Sequence, residues 1–505
     1  MRVELGVSQA SLRRWQVEIA RRLHRLPDVS VGSRWSRAGG EPLPVCANML
    51  LGLERALHGS PAALTIPAEP TALSPYVGHG GTNTDLVIDL GGGTPVSGQR
   101  RWRLTFDGGA GDVPIIGALL DGRAPVVALV DAIDGGIIAE ALPGLPDDGT
   151  VASGFEAVMA RTVSLVVSAV GGGRGRLRLT ASPATVSCND AVARATRSLS
   201  DAARARLSMI GRRPTHARTG WRFVTGPDVV DLGSHPASGW QVLPDDGARS
   251  YAHPFPIVRR SESWLFVTER DFARDKSLIS AVQFGPRGPL QAPTPVLELP
   301  EDLAFPHVFE ADGNIWMIPE RSGRNSIDLY RASRFPGGWR HEACLVEGIE
   351  ASGATPFRHE GRWWMSATVH DGSSVPDMMH LWSAPDLRGP WRPHPRNPVL
   401  IDAATARSAG RVVERNGRLI RPVHSRSSRG LALVEILRLD EDTFEQRVVA
   451  ELGVGPLWPG QGISTLNRAG AIECIDGADF AVAIAPQRPA RDDAPGWSRQ
   501  PAEAY

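Results

Sequence analysis

Val308-Phe309, the turn Asp312-Gly313-Asn314 and the run Ile315-Trp316-Met317-Ile318-Pro319-Glu320 decide how the second half of this chain folds. An apolar pair, a glycine-containing turn and a strand carrying Trp read as one β-hairpin. The unit recurs. Phe357, Glu360-Gly361-Arg362 and Trp363-Trp364-Met365-Ser366 form a second copy, and Val412-Val413, Asn416-Gly417-Arg418 and Leu419-Ile420-Arg421-Pro422 a third. An earlier copy has Ile257-Val258, a turn at Ser261-Glu262-Ser263 and a strand from Trp264 to Glu269. A weaker fifth sets Asp476-Gly477-Ala478 before Phe480 to Ile484. Aligned on their turns, the copies put Glu269, Glu320, Thr368, His424 and Ile484 at one position, in steps of 51, 48, 56 and 60 residues.

A period near ~50 residues with repeated Trp and Gly fits the four-stranded blades of a β-propeller. Asp328 to Arg331 and His380 to Ser383 supply further strands between the hairpins. The rival is a β-sandwich of hairpins, which has no reason to space a turn-plus-Trp unit so evenly. The reading is therefore an all-β five-bladed propeller over residues 241–485, followed by a loose tail at 486–505 rich in Pro, Arg, Asp and Ala.

Upstream the pattern changes. Leu12, Trp15, Ile19 and Leu23 recur at helical spacing behind Ser8 as a cap, and a second helix spans Asn48 to His58 before Gly59. Asp85 to Leu90, stopped by Gly91-Gly92-Gly93, suits a buried parallel strand. Arg101 to Phe106 and Pro125 to Val130 are further strands, and helices are expected at about 153–170 and 189–209. Strands alternating with helices predict an α/β domain over residues 1–210, joined by a connector at 211–240.

The 505 residues exceed one hydrophobic core. Lys+Arg and Asp+Glu both number 55, so no global field points to nucleic acid or an anionic membrane. Cys46, Cys188, Cys344 and Cys474 are far apart with no CxxC pair, which predicts free thiols in a reducing compartment. The start Met1-Arg2-Val3-Glu4-Leu5 has no apolar signal region, and no stretch nears 18 uninterrupted apolar residues. A cytoplasmic protein without a membrane span is expected.

Chemistry in a propeller sits where the innermost strands open the central channel. His253 to Phe255, Phe305 to His307, Ser352 to Thr355 and Ser408 to Arg411 would reach that mouth, with Glu269 and Glu320 ending neighbouring strands. Glycoside chemistry needs two carboxyl groups across a cleft, so Glu269 and Glu320 are the candidate acid and base, with Glu310 and Asp271 in reserve. Such glutamates equally serve to neutralise channel arginines such as Arg411 and Arg421. Trp363 and Trp364 alternate faces, one for the core and the other for a sugar, with Trp364 the candidate platform. His253, His307, Thr355 and His424 complete the candidate binding set. His307 and His424 lack close His or Asp companions, so neither metal nor cofactor is expected.

Phe305 to Glu310 with Asp312-Gly313, Met317 to Glu320, Gly389-Pro390-Trp391-Arg392-Pro393-His394-Pro395-Arg396-Asn397-Pro398-Val399 and Ala409-Gly410-Arg411 resemble a family signature. It is that of the N-terminal propeller of plant glucosamine inositolphosphorylceramide transferases, itself similar to five-bladed arabinanase and xylosidase glycosidases. The likeness covers about residues 240–485. It departs at Ala252-His253-Pro254-Phe255 and at Ser352-Gly353-Ala354-Thr355, where the pattern has aspartates at 253 and 353.

The N-terminal half resembles a bacterial formyltransferase-like, Rossmann-type domain, on Ser11 to Leu26, Asp85 to Gly92, Trp102-Arg103-Leu104 and Ile133-Asp134-Gly135-Gly136-Ile137-Ile138. The resemblance implies that Asp134 assists amine attack on a formyl donor. The family's Asn-x-His pair has no counterpart in Trp102 to Asp107, so the domain reads as degenerate. Together these readings imply a carbohydrate-active protein of bacterial glycan or glycolipid metabolism, with a glycan or sugar-containing partner. The propeller would bind the sugar and process it by glycosidase- or transferase-type acid/base chemistry. The alternatives are a non-catalytic sugar-binding or scaffold protein derived from enzymes, and a formyltransferase acting on an amino sugar.

Overall fold

The computed structural model describes residues 1–479, apart from 37–41, 60–62, 77–83, 92–99, 174, 176, 178, 180–182, 209–215, 237–238, 373–374, 426–429 and 454–461. The N-terminal half is a mixed sheet with helices. Strands β1 (Arg2–Ser8), β2 (Ser30–Ser36), β3 (Leu86–Asp89), β4 (Arg101–Phe106), β5 (Val127–Asp131) and β6 (Ile137–Ala141) lie in the order β2-β1-β3-β4-β5-β6. The first four pair in parallel and the last two join antiparallel. Helix α1 (Arg14–Leu23) buries Trp15, Ile19 and Leu23 as its periodicity predicts, but its cap is Arg13 with Gln16, one short turn beyond Ser8.

Helix α2 (Val45–His58) ends at Gly59, which adopts the left-handed conformation expected of a terminating glycine. Helices α3 (Asp112–Leu120), α4 (Val151–Val170) and α5 (Cys188–Ser208) complete the domain. Helix α4 is long and apolar enough to cross a membrane, yet its side chains, from Phe155 to Val166, are spent in the core.

The four cysteines are not all free. Cys46, in the first turn of α2, is disulfide-bonded to Cys188, the first residue of α5, with Cα atoms 5.7 Å apart. The 142 residues between them hide the pair from any spacing rule; the packing of α2 on α5 creates it. Cys344 and Cys474 are the free thiols.

Five four- to five-stranded antiparallel sheets follow, the blades of a propeller. Their inner hairpins are Arg249–Arg259 with Glu262–Asp271, Leu303–Ala311 with Asn314–Arg321, Ala351–His359 with Arg362–Val369, Val413–Arg415 with Arg418–Ser425, and Thr465–Ala469 with Ile472–Asp479. The expected further strands are present in blades two and three as Ser326–Arg334 and Met378–Ala384.

Blade five departs from the sequence reading. Its turn follows Ala469, which pairs with Ile472, so Asp476 lies within the second strand rather than before it. Phe480 to Ile484 and the tail lie outside the described residues. The segment 211–240 is more than a connector. Its strand β7 (His216–Phe223) pairs antiparallel with Ile472–Asp479, and β8 (Gln241–Val242) pairs with β7. One blade is thus built from both ends of the propeller sequence, which closes the ring.

The short helix α6 (Val229–Leu232) latches this closure. Asp228 at its cap is 2.8 Å from Arg415 of blade four and 3.0 Å from Arg468 of blade five. Glu473 accepts from Arg222 at 2.6 Å and from the amide of Val229 at 2.9 Å.

The two halves meet at blade three. Arg161 of α4 and Asp377 are both 0% exposed and ion-paired, and Arg161 also donates to the carbonyls of Asp371 and Val375. Asp377 accepts the amide of Gly144, where a Cβ would lie 2.1 Å from Val375 Cγ1, so glycine leaves room for the Val375 side chain. Leu142 exchanges backbone hydrogen bonds with Ile401 and Ala403, and Met378 and Ile401 join the N-terminal core.

Asp377→Ala leaves the Arg161 guanidinium buried without its counter-charge, so unfolding free energy measured in urea should fall by about 3–5 kcal/mol. Replacing Cys46 and Cys188 together by Ser should lower it by about 2–4 kcal/mol, read the same way.

Candidate functional site

The inner strands share one irregularity. Their pairing with the second strand slips between Phe266 and Thr268 in blade one, between Ala304 and His307 in blade two, and between Ser352 and Thr355 in blade three. At each slip one residue has left-handed φ: His253 at 48°, Phe305 at 46° and Gly353 at 64°. A bulge of this kind re-aims a side chain and releases an amide from the ladder. Each released amide donates to the preceding blade. His253 N reaches Asp476 Oδ2 at 2.7 Å, Phe305 N reaches Thr268 Oγ1 at 3.2 Å, and Gly353 N reaches Glu320 Oε2 at 3.0 Å. These bonds offset the strain that histidine and phenylalanine bear at positive φ. In blade four Gly410 takes φ 152°, and a Cβ there would meet the carbonyl of Leu466 at 2.1 Å.

The registers correct the equivalence read from the sequence. Glu320 lies opposite Ala304, Thr268 opposite Ala252, and Thr368 opposite Ser352. The counterpart of Glu320 in blade one is therefore Thr268, not Glu269. Glu262 already pairs with Arg259, so the blade-one turn sits at Arg260-Ser261, one residue earlier than expected. A one-residue slip sends a strand side chain to the opposite face. Glu269 is accordingly 2% exposed, accepts from Ser280 Oγ at 2.6 Å and lies 3.1 Å from Arg249 Nε. Burial, reinforced by its charge, pushes the Tyr251 hydroxyl up to about 12. Glu269 and Glu320 do not form a pair across one cleft.

Other expected residues also divide. Glu310 is exposed beside the outer turn, since it pairs with Ile315 at the far end of the hairpin. Asp271 accepts the amide of Ala273 and shapes a turn. Trp364 is 3% exposed and Trp363 6%, each in a different core cluster, so neither is a sugar platform; alternation along a strand serves the two blade interfaces. The Thr355 hydroxyl is buried and donates to the carbonyl of Gly353. Arg421 is 1% exposed and donates to Gln446 Oε1 and the carbonyl of Ala406, with its guanidinium lowered to about 9 by burial. Asp134 is exposed in the β5–β6 turn, where its carboxylate accepts the amide of Gly136.

Arg411 and His307 lie deeper in the channel. Arg411 Cζ is 5.4 Å from the centre of the Phe255 ring, its Nη2 donates to the carbonyl of Val308, and its amide donates to Asn467 Oδ1 at 2.9 Å. Asn467 in turn donates to the carbonyl of Pro254. The Arg411 amide thus links blade four to blade five, and the Arg411 guanidinium links it to blades one and two. Burial lowers it to about 10. His307 is 2% exposed between Phe255 and Phe309, and burial, then the Arg411 charge, holds it well below the usual histidine range.

Nearer the mouth, His253 Nδ1 is 3.2 Å from Thr268 Oγ1 and His370 Nε2 is 3.3 Å from Ser352 Oγ. The amide of His424 donates to the carbonyl of Arg407 at 3.0 Å. His424 is held well below its ordinary range by burial, then by the charges of Arg407 and His253. Thr268, His370, Arg407 and Asn467 were missed by sequence reasoning. A turn alignment one residue earlier in blade one would have found Thr268; the others carry no repeat signal.

His307 and His380 both favour the neutral form when folded, the latter lowered to about 4 by burial. The unfolded chain takes up these protons near pH 6.5 while the folded chain excludes them, so stability is full above that pH and declines below it. Denaturant melts between pH 7 and pH 5 should show the decline, and His307→Gln should flatten it by up to about 1.4 kcal/mol per pH unit.

The sequence family described as Glucosamine inositolphosphorylceramide transferase 1, N-terminal, matches residues 247–455, which are blades one to four. The transferase of that name from Arabidopsis thaliana is 29% identical over 220 residues, 41% of this chain and 28% of that protein. Its namesake from Oryza sativa subsp. japonica is 29% identical over 161 residues, 30% of this chain and 21% of that protein. The chain thus spans less than a third of the length of these curated relatives. Among solved structures, a family 117 glycoside hydrolase from Zobellia galactanivorans aligns with TM-score 0.33 and 14% identity, over 52% of this chain and 91% of that one. A GH43 β-xylosidase/α-arabinofuranosidase from a compost metagenome aligns with TM-score 0.34 and 12% identity, over 47% and 96%. The match therefore spans four of the five blades, and the fifth blade and the α/β half lie outside it.

Proposed function

We propose that this is a carbohydrate-active protein whose propeller binds a sugar at the channel mouth, with Glu320 as the carboxylate that meets it. The observation that carries this reading is the position of Glu320, at the bulge of the next blade, bonded through one oxygen to the amide of Gly353. Glu320 of blade two and His370 of blade three are both partly exposed, and together offer a carboxylate acceptor and an imidazole to sugar hydroxyls. The match of blades one to four to the N-terminal family of a glucosamine inositolphosphorylceramide transferase supports a sugar ligand and a role in glycan or glycolipid metabolism.

Binding without hydrolysis is favoured over glycosidase chemistry. The two-carboxylate mechanism needs a partner across the cleft, and Glu269 lies on the opposite face of its strand, engaged by Arg249 and Ser280. The N-terminal half then acts as a scaffold for blade three rather than as a formyltransferase: Asp134 serves a hairpin turn, and α4 reaches the propeller through Arg161.

Glu320→Gln keeps the shape and the acceptor for Gly353 but removes the charge. On an array of neutral, amino and acidic glycans, the wild-type protein should bind a defined subset. The variant should lose about tenfold in affinity, ~1.4 kcal/mol, with an unchanged melting temperature. Unaltered binding by the variant would remove Glu320 from the site. Turnover of any glycan by the wild-type protein would overturn the binding-only reading.

A further inference from the structure

Helix α5 sits on the N-terminal domain with little apolar packing to hold it. Of its described side chains only Ala191, Ser198 and Ala202 are buried, while the larger Val192 and Leu199 are 62% and 50% exposed. Small side chains remove little apolar area from water, so packing contributes little to the docking of the helix. Its polar attachment runs through Glu54 of α2, a buried carboxylate that accepts from Arg194 Nε at 3.2 Å and from Ser198 Oγ at 2.7 Å. Arg194 also donates to the carbonyl of Gly149. The covalent attachment is the Cys46–Cys188 disulfide, between the first turn of α2 and the first residue of α5. Cys188 is exposed and Cys46 partly exposed, so the bond is open to a reductant.

We propose that this disulfide is a redox-sensitive clamp, which a dithiol opens in the folded protein to release α5 from α2. The reaction is thiol–disulfide exchange. A thiolate of the reductant attacks the exposed Cys188 sulfur, the S–S bond breaks, and Cys46 leaves as a thiolate that takes up a proton. The second thiol of the reductant then displaces Cys188, so two cysteine thiols form and the reductant departs as its own disulfide. The link across 142 residues is lost, and with it the restraint that keeps Arg194 and Ser198 close to Glu54. Water then competes for all three groups. Glu54 keeps the bond from the amide of Ala152, so it is not stranded when the helix leaves. The release bears on the propeller too, because α5 is the last element before β7, the strand that closes the ring.

Tryptic cleavage and near-ultraviolet circular dichroism of the full chain test this, before and after reduction by dithiothreitol that is removed before protease is added. Helix α5 carries Arg194, Arg197 and Arg204 but no aromatic residue, whereas the buried Trp316, Trp364 and Trp382 report packing in the blades. Thiol titration should find Cys344 alone before reduction, and Cys46 and Cys188 with it afterwards. Cleavage within α5 should then be about tenfold faster, with the aromatic signal unchanged, and reoxidation should restore the slow rate. Cys188→Ser should show the fast rate without reductant. An unchanged rate in the reduced protein or in Cys188→Ser would overturn the clamp and leave the Glu54 network as sufficient attachment. A disulfide that resists reduction until the blades unfold, or an aromatic signal lost on reduction, would equally overturn it and make the bond a staple of the whole fold.

Discussion

Closure of the ring is the constraint on which the rest depends. Strand β7 comes from residues 216–223, yet its partner is Ile472–Asp479, some 250 residues later. Without it, blade five would be a two-stranded hairpin with an open edge, marginal by itself. The latch around α6 holds the join: Asp228 is shared by Arg415 and Arg468, and Glu473 is held by Arg222. Only in the closed ring does Asp476 reach the amide of His253, so the geometry of the first bulge is set by the last blade.

The channel follows from that closure. Each bulge amide is satisfied by the blade before it, which lets His253 and Phe305 occupy a backbone conformation that costs such residues on the order of 1–3 kcal/mol elsewhere. Below the bulges the Arg411 guanidinium packs against Phe255 and donates to the carbonyl of Val308. Burial first, and then the Arg411 charge, holds the buried His307 well below the usual histidine range. Toward the bulges the partly exposed side chains include Glu320 of blade two and His370 of blade three.

The two halves are joined as tightly as either is built. Arg161 and Asp377 form an ion pair with no exposed surface, and three further hydrogen bonds from and to the same groups complete their coordination. A buried pair of this kind gives little net stability over an apolar contact, but it penalises any arrangement in which the halves separate. Helix α4, apolar along its length, packs in the N-terminal core while its Arg161 reaches blade three.

Much of this was written locally. The repeat of turn plus Trp-bearing strand specified hairpins in blades one to four, and the helical periodicity of Trp15, Ile19 and Leu23 specified the buried face of α1, because both depend on neighbours within one element. The placement of Glu320 near the end of the second strand of blade two was legible for the same reason. Three things were not. The Cys46–Cys188 disulfide and the pairing of β7 with the last blade join residues far apart in the chain, where no local pattern reports contact. The face of Glu269 depends on whether a turn sits at Arg260-Ser261 or one residue later, and with a side-chain period of two that single step separates a channel carboxylate from a buried one. The sequence by itself determined four of the blades and the α/β layer; only the tertiary structure decided how the ring closes, which cysteines pair and which face of its strand Glu269 takes, because each depends on contacts or registers that no local pattern reports.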